Sequence, residues 1–513
     1  MKTPNTWPLF LAILLNLNLS LNLSLHATTY YVAPTGSNTN TGLSLADAFL
    51  TLQFAAEAVQ AGDTVFAADG TYAGFDLRDK NGTSAAPIVF QALGNSAVID
   101  QSGPIRNDGI NIENADYVVV DGFAVNGMPG NGNGIRVVLS DHCAVRNCRC
   151  DGNAERGIFT GFTDDILIEY NVCTNSVDEH GIYVSNSSDR PVIRYNECYG
   201  NNNIGIHINA DLSEGGDGII SDAQVYGNVI HDNGLAAGIN MDGLQNPVVY
   251  NNLIYNNHFG QGIALFQQDG AIVTNGAKIY NNTIIVPEDG RWGILVKAGA
   301  NQNTEIYNNI ILNRHAWRGC IAAEETAGLQ CDYNMLNDKM SADGDGSAVS
   351  LAAWQALGFD GHSLLAEPLA TLFQNAAGND YHLRAGAQAI DAGTNLVAAL
   401  VNDDLDGHAR PIGAGFDMGC YEFALPDGIS GAASLEFLVF PNPAKDVIHL
   451  DYDERQMEVQ RFELVDVSGR IIRAFGSSSR TLDIRGLPNG LYGLRIFLVA
   501  GGVAVRKILI STL

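Results

Sequence analysis

The chain has 513 residues, too many for one ordinary compact domain unless a repeat absorbs most of them. Glycine is abundant, at 56 residues, and charged residues are sparse, which fits a turn-rich β protein and argues against a helical or disordered one. Lys and Arg total 28 against 56 Asp and Glu, and the net charge of −28 argues against a nucleic acid partner; any acidic polysaccharide would need a local basic patch or a bound cation.

Residues 1–27 read as a signal peptide: Lys2 is the positive start, Leu9 to Leu15 the apolar core, and cleavage is expected after Ala27. Asn and Ser after Leu15 interrupt the run too early for a membrane span, and no later stretch is long and apolar enough to cross. Residues 28–87 are expected to form an N-terminal cap and first coils. Phe49, Leu52, Ala55, Ala56 and Val59 share one face of an amphipathic helix there.

Residues 88–366 carry the strongest signal, a glycine followed by isoleucine. It recurs at Gly109, Gly134, Gly157, Gly181, Gly205, Gly238, Gly262 and Gly293, with a degenerate copy at Gly319, at spacings of 25, 23, 24, 24, 33, 24, 31 and 26. The two long spacings fit loop insertions into a repeat of about two dozen residues. Asn147, Asn171, Asn196, Asn228, Asn252, Asn282, Asn309 and Asn334 run in phase, suited to left-handed turns and to a stacked ladder. Strands this short must pair with copies in the coils above and below, which predicts a parallel solenoid. Cys148, Cys173 and Cys198 fall near one repeat position and read as a buried stack; Cys320 and Cys331 could close a short loop on an extracytoplasmic route. No Cys/His spacing suits a structural zinc.

Alternation sends each isoleucine inward and exposes the residues before the glycine and two and four after it. In the middle repeats those outward columns gather Arg156, His180, Tyr183, His207, Asn209, Asn240 and Asp242. Both insertions, near Asp211 and Gln267, follow this strand directly and would wall the same face into a cleft. His207, Tyr183, His180 and Asp242 are the catalytic candidates. Arg156, Asn209, Asn240 and Phe266 are the substrate-binding ones. An elimination at a uronic acid would take His207 or Tyr183 as base or acid, with Arg156 or the asparagines facing the carboxylate. A hydrolase would pair Asp242 with Asp178, Glu179 or Asp211. Asp211, Glu214 and Asp217 could hold calcium, but no complete ligand set is readable, so the metal is left unassigned.

Residues 367–424, NAAGNDYHLRAGAQAIDAG and DDLDGHARPIGAGFDMGCYEF included, resemble a segment that closes bacterial β-helices. Turn capping and Arg–carboxylate pairing are expected among Asp391, Asp406, Arg410, Asp417 and Glu422. A Gly/Ser/Pro linker over 425–436 leads to alternating strands over 437–513.

The glycine–isoleucine repeat, from about Ile88 to Leu336, resembles the right-handed parallel β-helix of pectate lyases and other carbohydrate-active proteins. Pro441-Asn442-Pro443, Asp466, Gly469-Arg470, Leu487-Pro488, Gly490-Leu491-Tyr492 and Arg506-Lys507 resemble the type A sorting domain of the type IX secretion system of Bacteroidota. The expectation is an all-β protein: a parallel β-helix with an N-terminal capping helix and a C-terminal β-sandwich sorting domain. The sorting resemblance implies export through periplasm and outer membrane, to secretion or the cell surface, by the type IX machinery. The expected partner is a polysaccharide, bound and cleaved by a lyase-like or hydrolase-like monomer; the alternative is a non-catalytic adhesion rod. Arginine-rich pectate lyase motifs and a lysine base flanked by a calcium-binding aspartate cluster are missing. Asp164-Asp165 with His180-Gly181 resembles polygalacturonases only faintly, since the companion motifs are absent.

Overall fold

The computed structural model describes residues 27–424, 438–440, 444–452, 459–465, 471–499 and 503–510. Residues 1–26 of the signal peptide, the linker, and Pro441-Asn442-Pro443, Asp466 and Gly469-Arg470 lie outside the described residues. The chain divides into two compact units, Met1–Phe423 and Ala424–Leu513.

The first unit is a parallel β-helix. Two 12-stranded sheets and one 10-stranded sheet run its length, each strand hydrogen-bonded to its counterpart one coil away. The glycine–isoleucine strands build the 10-stranded sheet, where Ile158, Ile182, Ile206 and Ile239 stand in register and are buried inside the coil. Glycine is required here by close approach. A Cβ at Gly181 would lie 2.7 Å from the Gly205 carbonyl oxygen and 2.9 Å from Asn201 Nδ2. At the degenerate copy, register aligns Ile321 with Ile294, so Cys320 and not Gly319 takes the glycine position.

Seven asparagines, Asn171 through Asn334, form a buried ladder: from Asn196 onward each Oδ1 accepts from the backbone N–H and Nδ2 of the asparagine one coil earlier, as Asn228 does for Asn196 at 3.0 Å. Such a polar ladder inside an apolar coil holds because its amide groups find partners. Asn147 is one residue out of phase; Cys148 occupies its ladder position and donates its N–H to Asn171 Oδ1. The left-handed turn residue is the one before the ladder asparagine, such as Tyr195 or Asn251. A second ladder, Asn201, Asn233 and Asn257, went unrecognised in the sequence. The buried sulfur stack is Cys150, Cys173 and Cys198, and all eight cysteines are free, Cys320 and Cys331 included.

The helix Leu52–Ala58, capped by the Thr51 hydroxyl, packs Leu52, Ala55 and Ala56 onto the first coils with Phe49 and Val59. Trp354, on the helix Leu351–Ala356, joins the same core at the other end, and Asp360 accepts from Asn334 Nδ2 to finish the ladder. The later segment up to Phe423 lies along the flank: Leu372, Phe373 and Tyr381 cover Leu253, Ile285 and Leu312. Asn251 donates to the Asp403 carbonyl and Asn308 to that of Thr394. It holds a buried Arg410–Glu422 pair at 2.6 Å, turn bonds to Asp391 and Asp417, and an Asp406–His382 pair at 2.8 Å. The second unit holds a three-stranded and a four-stranded antiparallel sheet, with Ile448, Phe462, Leu464, Leu494 and Ile508 in its core.

Candidate active site

Four consecutive strands of the 10-stranded sheet, Ile158–Gly161, Ile182–Ser185, Ile206–Asn209 and Ala237–Asp242, set out the middle of the groove. Register places Phe159, Tyr183, His207 and Asn240 in one column and Gly161, Ser185, Asn209 and Asp242 in the next. Residues far apart in the chain thus become neighbours one strand spacing apart, ~4.8 Å.

Tyr183 is the hub. Its ring stacks on His207 at 4.8 Å between centroids and 17° between planes, and the Arg156 guanidinium sits 4.9 Å from the ring centroid. Asn209 Nδ2 donates to the Tyr183 hydroxyl at 3.1 Å. Burial pushes the phenol above its ordinary value of 10.0, and the Asn209 bond and Arg156 charge only partly offset that rise.

His207 and His180 form a linked pair. His207 Nδ1 lies 3.0 Å from His180 Nε2, which also lies 2.9 Å from a Glu179 carboxylate oxygen. The Ile204 N–H donates to His180 Nδ1 at 3.3 Å, so the ring hydrogen of neutral His180 belongs on Nε2. His207 consequently accepts at Nδ1 and carries its own hydrogen on Nε2. Burial holds both histidines below the usual 6.5; the Arg156 charge and competition with His180 for a proton depress His207 further, while Glu179 opposes the shift at His180. Both rings are neutral at pH 7.

The two insertions wall this face. The Leu212 N–H donates to the Asp269 carbonyl at 3.0 Å and Ala271 N–H to that of Gly218 at 2.8 Å. Asn209 Nδ2 also donates to the Asp269 carboxylate at 3.1 Å. Asn209 Oδ1 and Arg156 Nε are buried and find no hydrogen-bond partner among the described residues, an arrangement that leaves polar capacity for a ligand.

Asp242 carries a structural duty: its buried carboxylate accepts from the Gln268, Asp269 and Gly270 N–H groups and so anchors the second insertion. Asp211 is likewise engaged with Ser213, and Asp217 with the Ile219 N–H. Asp164 and Asp165 pair with Arg190 at 3.0 and 2.8 Å. Phe266 pairs in register with Asp242 and is half-buried. Glu179, expected as a partner of Asp242, pairs with His180 instead, and Asp269 escapes a reading by strand alternation because it arrives on a loop.

Residues 30–177 match the family model described as Pel9A-like, right handed beta helix region; 211–335 match a right handed beta helix region; and 438–511 match a secretion system C-terminal sorting domain. The last of these marks the chain for export, to secretion or attachment at the cell surface. No curated protein matches. Among solved structures, pectate lyase Pel9A is 17% identical, with 77% of this chain and 96% of that one covered and a TM-score of 0.51. An alginate lyase from a Paenibacillus species is 18% identical over 52% of this chain and 93% of its own, with a TM-score of 0.38. A lacto-N-biosidase from Eubacterium ramulus is 14% identical over 66% and 68%, with a TM-score of 0.42. The chain is therefore a right-handed parallel β-helix followed by a sorting domain.

Proposed function

We propose that this exported right-handed parallel β-helix protein binds an acidic extracellular polysaccharide along the Tyr183–His207 face and cleaves it by β-elimination beside a uronate carboxylate. The observation that carries the reading is the enclosure of Tyr183 by a neutral His207, the Arg156 guanidinium and the Asn209 amide.

The Tyr183 phenolate takes the proton from the carbon bearing the carboxylate. The C–O bond to the next sugar breaks as a carbon–carbon double bond forms, and the new phenol returns its proton to the departing oxygen. Asn209 Nδ2 and the Arg156 charge favour the phenolate. The Nε2–H of neutral His207 and the Asn240 amide are donors for the carboxylate as negative charge builds there. His207 serves poorly as the base. A lone pair on Nε2 would require moving the His180 hydrogen to Nδ1, against the Ile204 N–H and away from Glu179.

Hydrolysis would need two carboxylates at a set separation. Those around the groove are already committed: Glu179 to His180, Glu155 to Arg156, Asp269 to Asn209 and Asp242 to its three amides. Incubation with polygalacturonate, alginate and xylan tests the reading. Unsaturated uronate absorbance is expected from an acidic polymer and none from xylan. New reducing ends without that absorbance would replace elimination by hydrolysis, and retention of polymer without products would leave an adhesion rod.

A further inference from the structure

Three coils beyond His207, the groove ends in a cluster of unlike chemistry. From the Ile206–Asn209 strand to Ile294–Val296 is three strand steps, ~14 Å along the axis. Trp292 precedes that last strand in the column that holds Arg156 and His180, its carbonyl accepting from the Gly262 N–H as theirs accept from Gly134 and Gly157. Trp292 itself is buried, so it offers no surface to a sugar. Trp317 packs on it edge to face at 5.9 Å between centroids and is 39% exposed. Arg318 lies 4.8 Å from the Trp317 ring centroid.

Arg291 and Arg318 both pair with one carboxylate, Asp345, at 3.4 and 2.9 Å. The same carboxylate accepts from Trp292 Nε1 at 2.7 Å, and the Arg318 bond holds it well below the usual carboxylate range. Lys339 meets no carboxylate among the described residues; its ammonium donates to the His315 and Ala316 carbonyls and braces the turn. The turn is further shaped by His315 Nδ1, which accepts from the Trp317 and Arg318 N–H groups at 3.2 and 3.0 Å. Burial, Arg318 and Lys339 hold that ring neutral. Arg291 and Arg318 thus share one acid, Asp345, in a chain whose net charge is −28. An excess of positive charge is the exception on such a surface, and an exposed indole beside guanidinium groups suits a sugar ring carrying a carboxylate.

We infer that Trp317, Arg291 and Arg318 form a distal subsite that grips the same uronate polymer several sugar residues from Tyr183. The inference rests on the proposed function for the identity of the polymer. It explains how so acidic a protein could hold an acidic glycan without a continuous basic groove: the attraction is confined to two points, Arg156 and this platform, with the neutral Ile204 and Ala237 positions between them.

Affinity electrophoresis in gels cast with polygalacturonate, alginate, dextran sulfate or xylan tests it on the full chain. The wild type is expected to be retarded by polygalacturonate or alginate and not by xylan. Trp317→Ala and the double variant Arg291→Gln/Arg318→Gln are expected to bind about tenfold more weakly while unfolding at the wild-type temperature. Trp317→Phe, which keeps a ring, should recover much of the loss. Variants retarded like the wild type would overturn the subsite, as would retardation by dextran sulfate alone or equally by xylan. Failure of the elimination reading is separate: Tyr183→Phe and the wild type would both yield no unsaturated product, whatever the platform variants bind.

Discussion

Tyr183 and His207 meet because adjacent coils are in register, and their protonation follows from what surrounds them. Burial raises the phenol above 10.0 and keeps His207 well below 6.5. If Tyr183 is the base, kcat/KM should climb with the phenolate fraction from pH 7 to beyond pH 9 and keep climbing. A neutral histidine base would instead give a plateau above its depressed value, and a plateau would remove Tyr183 from that role. Tyr183→Phe should lower kcat by ~10²–10⁴ with folding intact, the size expected from losing a positioned proton-transfer group. The outward columns of Arg156, His180, Tyr183, His207, Asn209 and Asn240 were legible from strand alternation alone. Which nitrogen of His207 bears hydrogen was not, because that depends on Ile204 and Glu179, whose relation to the rings is set by the turn before each strand.

At the level of the element, Asp242 shows how a polar residue in the right column can have another duty. Alternation placed it outward beside Asn209, and the register agrees. Its oxygens are nonetheless consumed by the backbone of residues 268–270, a demand created by a loop that returns over the sheet. Asp242→Ala should destabilise the β-helix by about 2–3 kcal/mol, the scale for losing hydrogen bonds to a charged acceptor. It should also expose residues 267–276 to protease. Unchanged denaturation and unchanged cleavage would show that the loop holds itself. The asparagine ladder was readable as a repeat, but its phase was not: Asn147 follows the same strand pattern, and only pairing distances reveal that Cys148 stands in line with Asn171.

On the scale of the whole molecule, the segment before Phe423 binds the flank of the coils through apolar packing and hydrogen bonds, and its ion pairs are internal to it. His382 lies between Asp380 and Asp406, at 2.6 and 2.8 Å, and is raised from 6.5 to about 9, Asp406 contributing most. A raised histidine value adds stability that is complete below pH 6.5 and is lost as pH passes through about 9. The unfolding temperature should therefore fall across that interval, and His382→Gln should flatten the dependence; an unaltered slope would assign it to other groups. The coil was decided by the sequence, since an isoleucine beside a glycine every two dozen residues can be buried only by stacking copies, and so was the sorting domain, through several motifs in order over about 77 residues. The tertiary structure alone decided which oxygens and ring nitrogens remain free, because hydrogen-bond partners come from neighbouring coils and returning loops whose distance along the chain varies with every insertion.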